Sequence, residues 1–203
     1  GDILRKRVKQ GSRVMIRRSN EVIPEILGAI DEGNGAEIEK PTACPACGTP
    51  LIETGANLFC PNRDCKPRVV AMLDHFAGKN AMDIDGFSES TATQLFEKDL
   101  VKSFSDLYRL SAADLEKLDG FKDKKIKNLL SAIEKSKNPG FPAFIYALGV
   151  DGIGRVAAKD LAAAFGTFEN LKNATAEELT ELENIGGITA NNVVSYFKNE
   201  DNL

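Results

Sequence analysis

Leu148-Gly-Val-Asp-Gly-Ile-Gly-Arg-Val-Ala-Ala-Lys-Asp-Leu-Ala-Ala-Ala-Phe-Gly166 carries the architecture of this chain. It predicts a helix end, a tight hairpin at Gly152-Ile153-Gly154, and a second helix from about Arg155 to Phe165 closed by Gly166. An apolar residue between two glycines lets the backbone approach a surface closely and take positive φ without a Cβ clash. The helix behind it points unbonded N–H groups and its positive dipole end outward. Phosphate is the natural occupant of such a corner.

The device recurs. Gly86-Phe87, Gly120-Phe121, Gly152-Ile153 and Asn184-Ile185 align at steps of 34, 32 and 32 residues. Six positions on stand Ala92, Ile126, Ala158 and Ala190; three further stand Leu95, Leu129, Leu161 and Val193. These sets share one face of each second helix and are expected in the core. One supersecondary unit is thus used four times. A period near 33 also fits ankyrin or tetratricopeptide arrays, but the hairpin before each second helix argues for tandem helix-hairpin-helix units, which hold nucleic-acid backbones. The competing reading is that the glycines merely end helices and permit close packing.

Around this frame the 203 residues are 42% hydrophobic and 28% charged, ordinary for a globular protein of one or two domains. No apolar run approaches the ~18 residues that a membrane span requires. The net charge of −4 argues against a uniformly basic nucleic-acid binder, so the distribution of charge matters more than its sum. Arg5, Lys6, Arg7, Lys9, Arg13, Arg17 and Arg18 stand against Asp2 alone in residues 1–18, either a solvated face or a phosphate-tracking surface.

Residues 11–30 read as two strands, with Val14 and Ile16 alternating with Arg13, Met15 and Arg17. A turn is expected at Ser19-Asn20, and Val22 to Ile30 forms a second strand in which Pro24 suits an edge or bulge. Two strands make no stable domain alone, so this looks like the tail of a small β-barrel. Asp31 to Lys40, with Gly33 and Gly35, reads as an acidic linker.

Cys44-Pro-Ala-Cys47 and Cys60-Pro-Asn-Arg-Asp-Cys65 hold all four cysteines within 22 residues. Two such pairs on turns set four thiolates about one ion, and a structural zinc is the expected occupant. Leu51, Ile52, Leu58 and Phe59 are too little apolar content for so short a segment to fold by burial. Metal binding would supply on the order of 10 kcal/mol or more. Two disulfides are the alternative, but nothing else suggests an oxidising compartment, and the cytoplasm is expected. A redox dithiol would leave the second pair unexplained. Four protein ligands close the site, so it is not catalytic.

After Pro67 an amphipathic helix turns Val69, Met72, Leu73 and Phe76 inward; His75 has no partner suggested by spacing and is expected to pack. Ser111 to Asp114 and Thr175 to Glu178 have capping-box form, and Asn138-Pro139-Gly140 breaks the array into two pairs of units. The units are unequal. The third has Gly152, Gly154 and Arg155; the fourth has Gly186, Gly187 and Thr189, with Asn184 a residue that can still take the left-handed region. In the first, Ser88 follows Gly86-Phe87, and in the second Lys122 follows Gly120-Phe121, so those two either bind through side chains (Lys122, Lys124, Lys125) or only pack.

Lys117-Leu-Asp-Gly120 matches the four-residue signature of an adenylated lysine, but it lies on a short capped helix running into a hairpin, and we read it as coincidence. The order of parts, with Val14-Met-Ile-Arg-Arg-Ser-Asn-Glu-Val-Ile-Pro24, the four cysteines, Ala81-Met-Asp-Ile-Asp-Gly86, Asp106-Leu-Tyr-Arg-Leu110 and Ala147-Leu-Gly-Val-Asp-Gly-Ile-Gly154, resembles bacterial NAD-dependent DNA ligase over essentially all of the chain.

That resemblance implies a mainly α fold in three parts: an OB-fold remnant with its linker at 1–40, a zinc finger at 41–67, and four helix-hairpin-helix motifs at 68–203. The adenylation and BRCT domains of the family are absent here, and the catalytic lysine and NAD pocket would lie upstream. The resemblance places Arg17 and Arg18 at a barrel strand end facing DNA and makes the cysteines zinc ligands. The implied activity is sealing of nicks in duplex DNA during replication and repair, with NAD and Mg²⁺ used by the parent enzyme. Residues 1–203 would grip the backbone without sequence specificity, as a monomer, binding weakly and with strong salt dependence. A non-ligase repair or recombination protein with a zinc finger and hairpin motifs is the other reading, and a helical-repeat interaction scaffold is a third.

Overall fold

The computed structural model describes residues 2–19, 23–31, 35–199 and 202. Asn20, Val22 and Gly33, which enter the expected turn, strand and linker, lie outside the described residues. The chain divides into two compact units, Gly1–Asn62 and Arg63–Leu203.

In the first unit, helix α1 (Asp2–Arg5) precedes the antiparallel pair β1 (Val14–Ser19) and β2 (Ile23–Ala29). Arg17 pairs with Glu25 and Arg18 with Pro24 across the ladder. Met15 faces Gly28 whereas Ile16 faces Ile26, so the irregularity falls at Leu27 and not at Pro24. Pro24 can sit in the ladder because a two-stranded sheet has only edges. The expected alternation buries nothing. Among the described residues up to Asp31 none is fully buried, and Met15, Ile16, Ile26 and Leu27 stay exposed, as they must where a two-stranded ribbon has no second layer to bury them.

The expected linker is partly structured: Gln10 donates its N–H to the Ala36 carbonyl, and Lys9 bridges Glu37. Gly35 lies so close to the Gln10 carbonyl that no Cβ fits there. Strands β3 (Ile52–Thr54) and β4 (Asn57–Phe59) form a hairpin turned at Gly55, φ +62°. Ile52 and Phe59 remain about half exposed, so this segment has no apolar core.

The second unit begins at α2 (Lys66–Ala77), two residues earlier than its pattern predicts because Cys65 is the N-cap and Pro67 tolerates the first turn. Val69, Val70, Leu73 and Phe76 are buried and Met72 partly so. His75 packs: its Nε2 lies 2.8 Å from the Tyr146 carbonyl and its ring meets the Tyr146 ring edge-on.

Next come α3 (Glu89–Glu97), α4 (Phe104–Leu107), α5 (Ala112–Leu115) and α6 (Asp123–Lys135). After the break at Asn138-Pro139-Gly140 follow α7 (Phe141–Ala147), α8 (Arg155–Phe165), α9 (Phe168–Lys172), α10 (Ala176–Thr180) and α11 (Gly187–Lys198).

The repeat alignment predicts the core. Ala92, Ala158 and Ala190 are 0% exposed, Ile126 is buried, and Leu95, Leu129, Leu161 and Val193 are buried in register. One core runs from α2 to α6; another, from Ile145 to Phe197, serves α7 to α11. Each pair of units therefore shares one core, with Ala147 packed into the first and Ile145 into the second.

Capping fixes the short connectors. Ser103, Ser111 and Thr175 each make a capping box with Asp106, Asp114 and Glu178. Hydrogen bonds from the Ser111 hydroxyl, then the Lys117 ammonium and the Ser111 amide, lower the Asp114 carboxyl to about 2. Partial burial pushes Asp106 upward, but the Ser103 hydroxyl and the Lys102 and Ser103 amides outweigh it and hold the carboxyl below its usual range.

Candidate metal centre and nucleic-acid interface

The four cysteine Sγ atoms lie within 4.8 Å of one another, and Cys47 and Cys60 are 3.5 Å apart. A tetrahedral ion bonded at ~2.3 Å to each sulfur sets its ligands ~3.8 Å apart, so these side chains fit a metal with little adjustment. Local turns produce the cluster. Gly48, φ +73°, donates its N–H to the Cys44 carbonyl and brings Cys47 back toward Cys44. Cys65 caps α2, where the helix dipole favours a thiolate. Among the described residues 35–62, Cys44 is the one buried residue. The chain thus has four cysteines positioned to hold a metal ion, in a segment without other means of closing.

The four hairpins share one geometry. In each, the last turn residue donates its N–H to the carbonyl three residues earlier: Phe87 to Ile84, Phe121 to Leu118, Ile153 to Val150, Ile185 to Leu182. Gly86, Gly120 and Gly152 take φ of +81°, +76° and +86° at the third turn position, the value that a type II turn demands. Asn184 does not; it stays out of the left-handed region, which costs any residue with a Cβ, and instead donates its side-chain amide to Asp160 Oδ2 at 2.8 Å. Phe121, Ile153 and Ile185 are buried, while the glycines beside them are exposed.

The residue after each turn is a helix N-cap: Ser88, Lys122, Gly154 and Gly186, all extended. Gly154, at φ −86°, therefore serves by leaving its helix end bare rather than by taking positive φ. The N–H groups of Arg155, Val156 and Ala157, and of Gly187, Ile188 and Thr189, donate to no protein acceptor among the described residues. Ser88 spends one such group of the first unit, its Oγ accepting from Thr91 at 3.3 Å. Lys122 leaves α6 uncapped by any side chain, with Lys124 exposed and the Lys125 ammonium 3.8 Å from the Phe121 ring centroid.

The hairpins are brought together in pairs. A Cβ on Gly152 would meet Thr189 Oγ1 at 2.8 Å, so the third hairpin abuts the first turn of α11. Asn192 donates to the Asp151 carbonyl, and Asp160 answers from α8 by accepting from Asn184. In the first pair, Gln94 plays the Asn192 part and holds both backbone groups of Asp119. These polar positions, eight residues beyond the turn glycine, were not singled out by motif reading. Arg155 is exposed and donates to Asn80 Oδ1 at 3.0 Å.

The remaining sequence candidates are two arginines and a lysine. Arg17 is paired with Glu25 Oε2 at 3.1 Å, while Arg18 is exposed. The basic run around them is largely answered: Arg5 and Lys6 meet Asp2, Lys9 meets Glu37, and Arg13 meets Asp31. Lys117 lies in the turn after α5, exposed and ion-paired with Asp114 at 2.9 Å.

Among the described residues no helix is long and apolar enough to cross a membrane. Residues 79–135 match the SAM-like helix-hairpin-helix tandem family, and residues 143–203 match the helix-hairpin-helix motif family. The chain is 52% identical over 202 residues to DNA ligase 2 of Clostridium acetobutylicum, covering 98% of this chain and 30% of the relative. It is 50% identical to a DNA ligase of Clostridium tetani, again over 98% of the chain and 30% of the relative. A DNA ligase of Alkaliphilus metalliredigens is also 50% identical, with 98% and 31% covered. The chain spans about a third of the length of these curated relatives. Two hairpin-family matches, a four-cysteine cluster and identity near 50% over 98% of its length make the chain similar to one segment of these DNA ligases.

Proposed function

We propose that this chain is the duplex-gripping part of an NAD-dependent DNA ligase that seals single-strand nicks. The observation that carries the reading is the set of bare first-turn amides behind exposed hairpin corners, held in pairs; in this reading each pair addresses both strands of a duplex. Such amides donate to phosphate oxygens irrespective of base, which suits an enzyme that acts at any nick. Gly152, Gly154, Arg155, Gly186, Gly187 and Thr189 form the principal grip. Gly120, Lys122 and Lys124 add a second through lysine charge, and Gly86 contributes least because Ser88 occupies its helix end. Arg18 extends the contact from β1, with Arg17 held back by Glu25.

The ion at the cysteines is a structural zinc in this reading, and four thiolates leave it no open position for chemistry. Residues 1–40, 41–67 and 68–203 act as barrel remnant, zinc finger and hairpin array. NAD and Mg²⁺ serve adenylation elsewhere in the parent enzyme. The contribution of residues 1–203 is to hold the broken ends in place, a proximity effect. The protein works as a cytoplasmic monomer.

The test is anisotropy of a fluorescent duplex carrying one nick, titrated with this chain at several salt concentrations, alongside incubation with labelled NAD. Saturable binding that weakens with salt and no adenylate on the protein are expected. An adduct on Lys117, or binding that ignores salt, would refute the reading.

A further inference from the structure

Among the described residues of Arg63–Leu203, two large apolar side chains are exposed: Val156 at 63% and Ile188 at 82%. They are not scattered. Each is the second residue of the helix behind its hairpin, α8 in one case and α11 in the other. The same position holds Ser90 in the first unit and Lys124 in the second. The apolar choice thus accompanies the bare glycine N-caps, Gly154 and Gly186, and disappears where the N-cap has a side chain. The two sites also face a common place, because Gly152 abuts Thr189, the neighbour of Ile188.

Charge points the same way. Residues 141–203 contain four basic and nine acidic side chains, so this pair of units cannot hold a polyanion by bulk attraction. Its grip must come from oriented dipoles and from contacts that need no charge. A nucleic-acid backbone offers one such surface at every step: the C–H face of the sugar next to each phosphate.

We propose that Val156 and Ile188 each lie against the deoxyribose adjoining the phosphate held by their own hairpin, one on each strand along the minor groove. The inference rests on the reading of the hairpins as phosphate grips and adds an apolar contact to it. A sugar contact is blind to sequence, as the amide contact is, and releases no counterions.

The test compares Val156→Ala, Ile188→Ala and the double variant of this 203-residue chain with the unaltered chain, on a labelled duplex carrying one nick, across a salt series. From the area of methyl groups removed, the loss of affinity is expected to be roughly threefold for Val156→Ala and up to about tenfold for Ile188→Ala. The slope of affinity against salt stays the same, because no phosphate contact is lost. Folding is not at issue, since both sites are exposed and alanine is the better helix former. Gly154→Asp runs beside them as the control on the hairpins. If Gly154→Asp weakens binding and the alanine variants do not, the sugar contact is wrong and the hairpin reading stands. If none of the variants weakens binding, the hairpin reading fails and takes this inference with it. If the double variant binds DNA normally but sediments as a smaller species than the unaltered chain, the two residues join copies of the chain and the proposal is overturned.

Discussion

Gly154→Asp separates binding from folding because the two respond in opposite directions. Gly154 has φ −86° and ψ 179°, open to any L-residue, and a Cβ there meets nothing within 4 Å. It is the N-cap of α8, a position where aspartate is among the preferred residues. The new carboxylate would accept the free N–H of Ala157 and face the positive end of the helix dipole, so α8 should gain about 0.5 kcal/mol or a little more. The same carboxylate occupies the place assigned to a phosphate oxygen. At ~4 Å, two like charges repel by about 1 kcal/mol in bulk water and about 4 kcal/mol at an effective dielectric constant near 20. Affinity for a nicked duplex should therefore fall roughly fivefold to several-hundredfold. The salt dependence should shallow by about one phosphate's worth. Gly154→Asn is the companion: it caps the same amide without charge and should show the smaller loss that comes from occupying the N–H alone. The assay is anisotropy against salt, paired with a thermal melt. A Gly154→Asp chain that melts at or above the unaltered temperature yet binds DNA equally well would refute the assignment of phosphate to this corner.

Gly152→Ala should instead destabilise the fold by roughly 2 kcal/mol, because φ is +86° and the Cβ would overlap Thr189; a melt that does not shift would contradict the observed turn. Leu179→Ala, at a fully buried site of the second core, should cost about 2–5 kcal/mol by denaturant titration. A chelator should release one metal ion per chain and expose the amides of residues 41–65 to hydrogen exchange while α8 and α11 stay protected; uniform loss of protection would show that the ion supports more than its own segment. Asp106, Asp114 and Glu178 are all held below their usual carboxylate range by their caps. Their contribution is complete above the unfolded value near 4 and is lost as pH falls through the folded values, about 2 for Asp114. Asp114→Asn should lower stability by a constant amount between pH 5 and 8 and flatten its fall with pH in that acid window.

What was legible in the sequence is what repeats or clusters. The turn glycines, the alanines six residues on and the leucines three further fall in register because each unit solves one packing problem with one local pattern, and the structure buries them in that register. The cysteine pairs announce their site because nothing else could close so short a segment. Pairings distant in sequence were hidden: Ala36 returning to Gln10, Glu37 to Lys9 and Asp31 to Arg13 cannot be read from a stretch that looks acidic and glycine-rich. Asn184 departs from the turn glycines for a different reason. Asparagine tolerates the left-handed region, but its side-chain amide had a competing use 24 residues away on Asp160.

The polar positions on the second helices show where a signal was present and passed over. Eight residues beyond each turn glycine or its Asn184 counterpart stand Gln94, Asn128, Asp160 and Asn192, all short hydrogen-bonding side chains on helix surfaces. Taken singly, each looks like solvated surface. Taken as a column, they demand an explanation, since a helix face exposed only to water has no reason to repeat amides and a carboxylate at one position. The contacts supply it: Gln94 holds Asp119, Asn192 holds the Asp151 carbonyl, and Asp160 holds Asn184, each reaching the hairpin of the partner unit. A hairpin whose amides must meet a phosphate needs its orientation fixed by something other than its own two helices. A hydrogen bond from the neighbouring unit fixes it, and this makes the pair, rather than the single unit, the element that could bind. Replacing Asn192 by alanine should then weaken DNA binding through both the third and fourth hairpins while costing only about 1 kcal/mol in stability. A double-mutant cycle with Gly154→Asp should show the two losses to be less than additive, because a misoriented hairpin has less affinity left for the carboxylate to remove. Full additivity would mean that the units bind one by one.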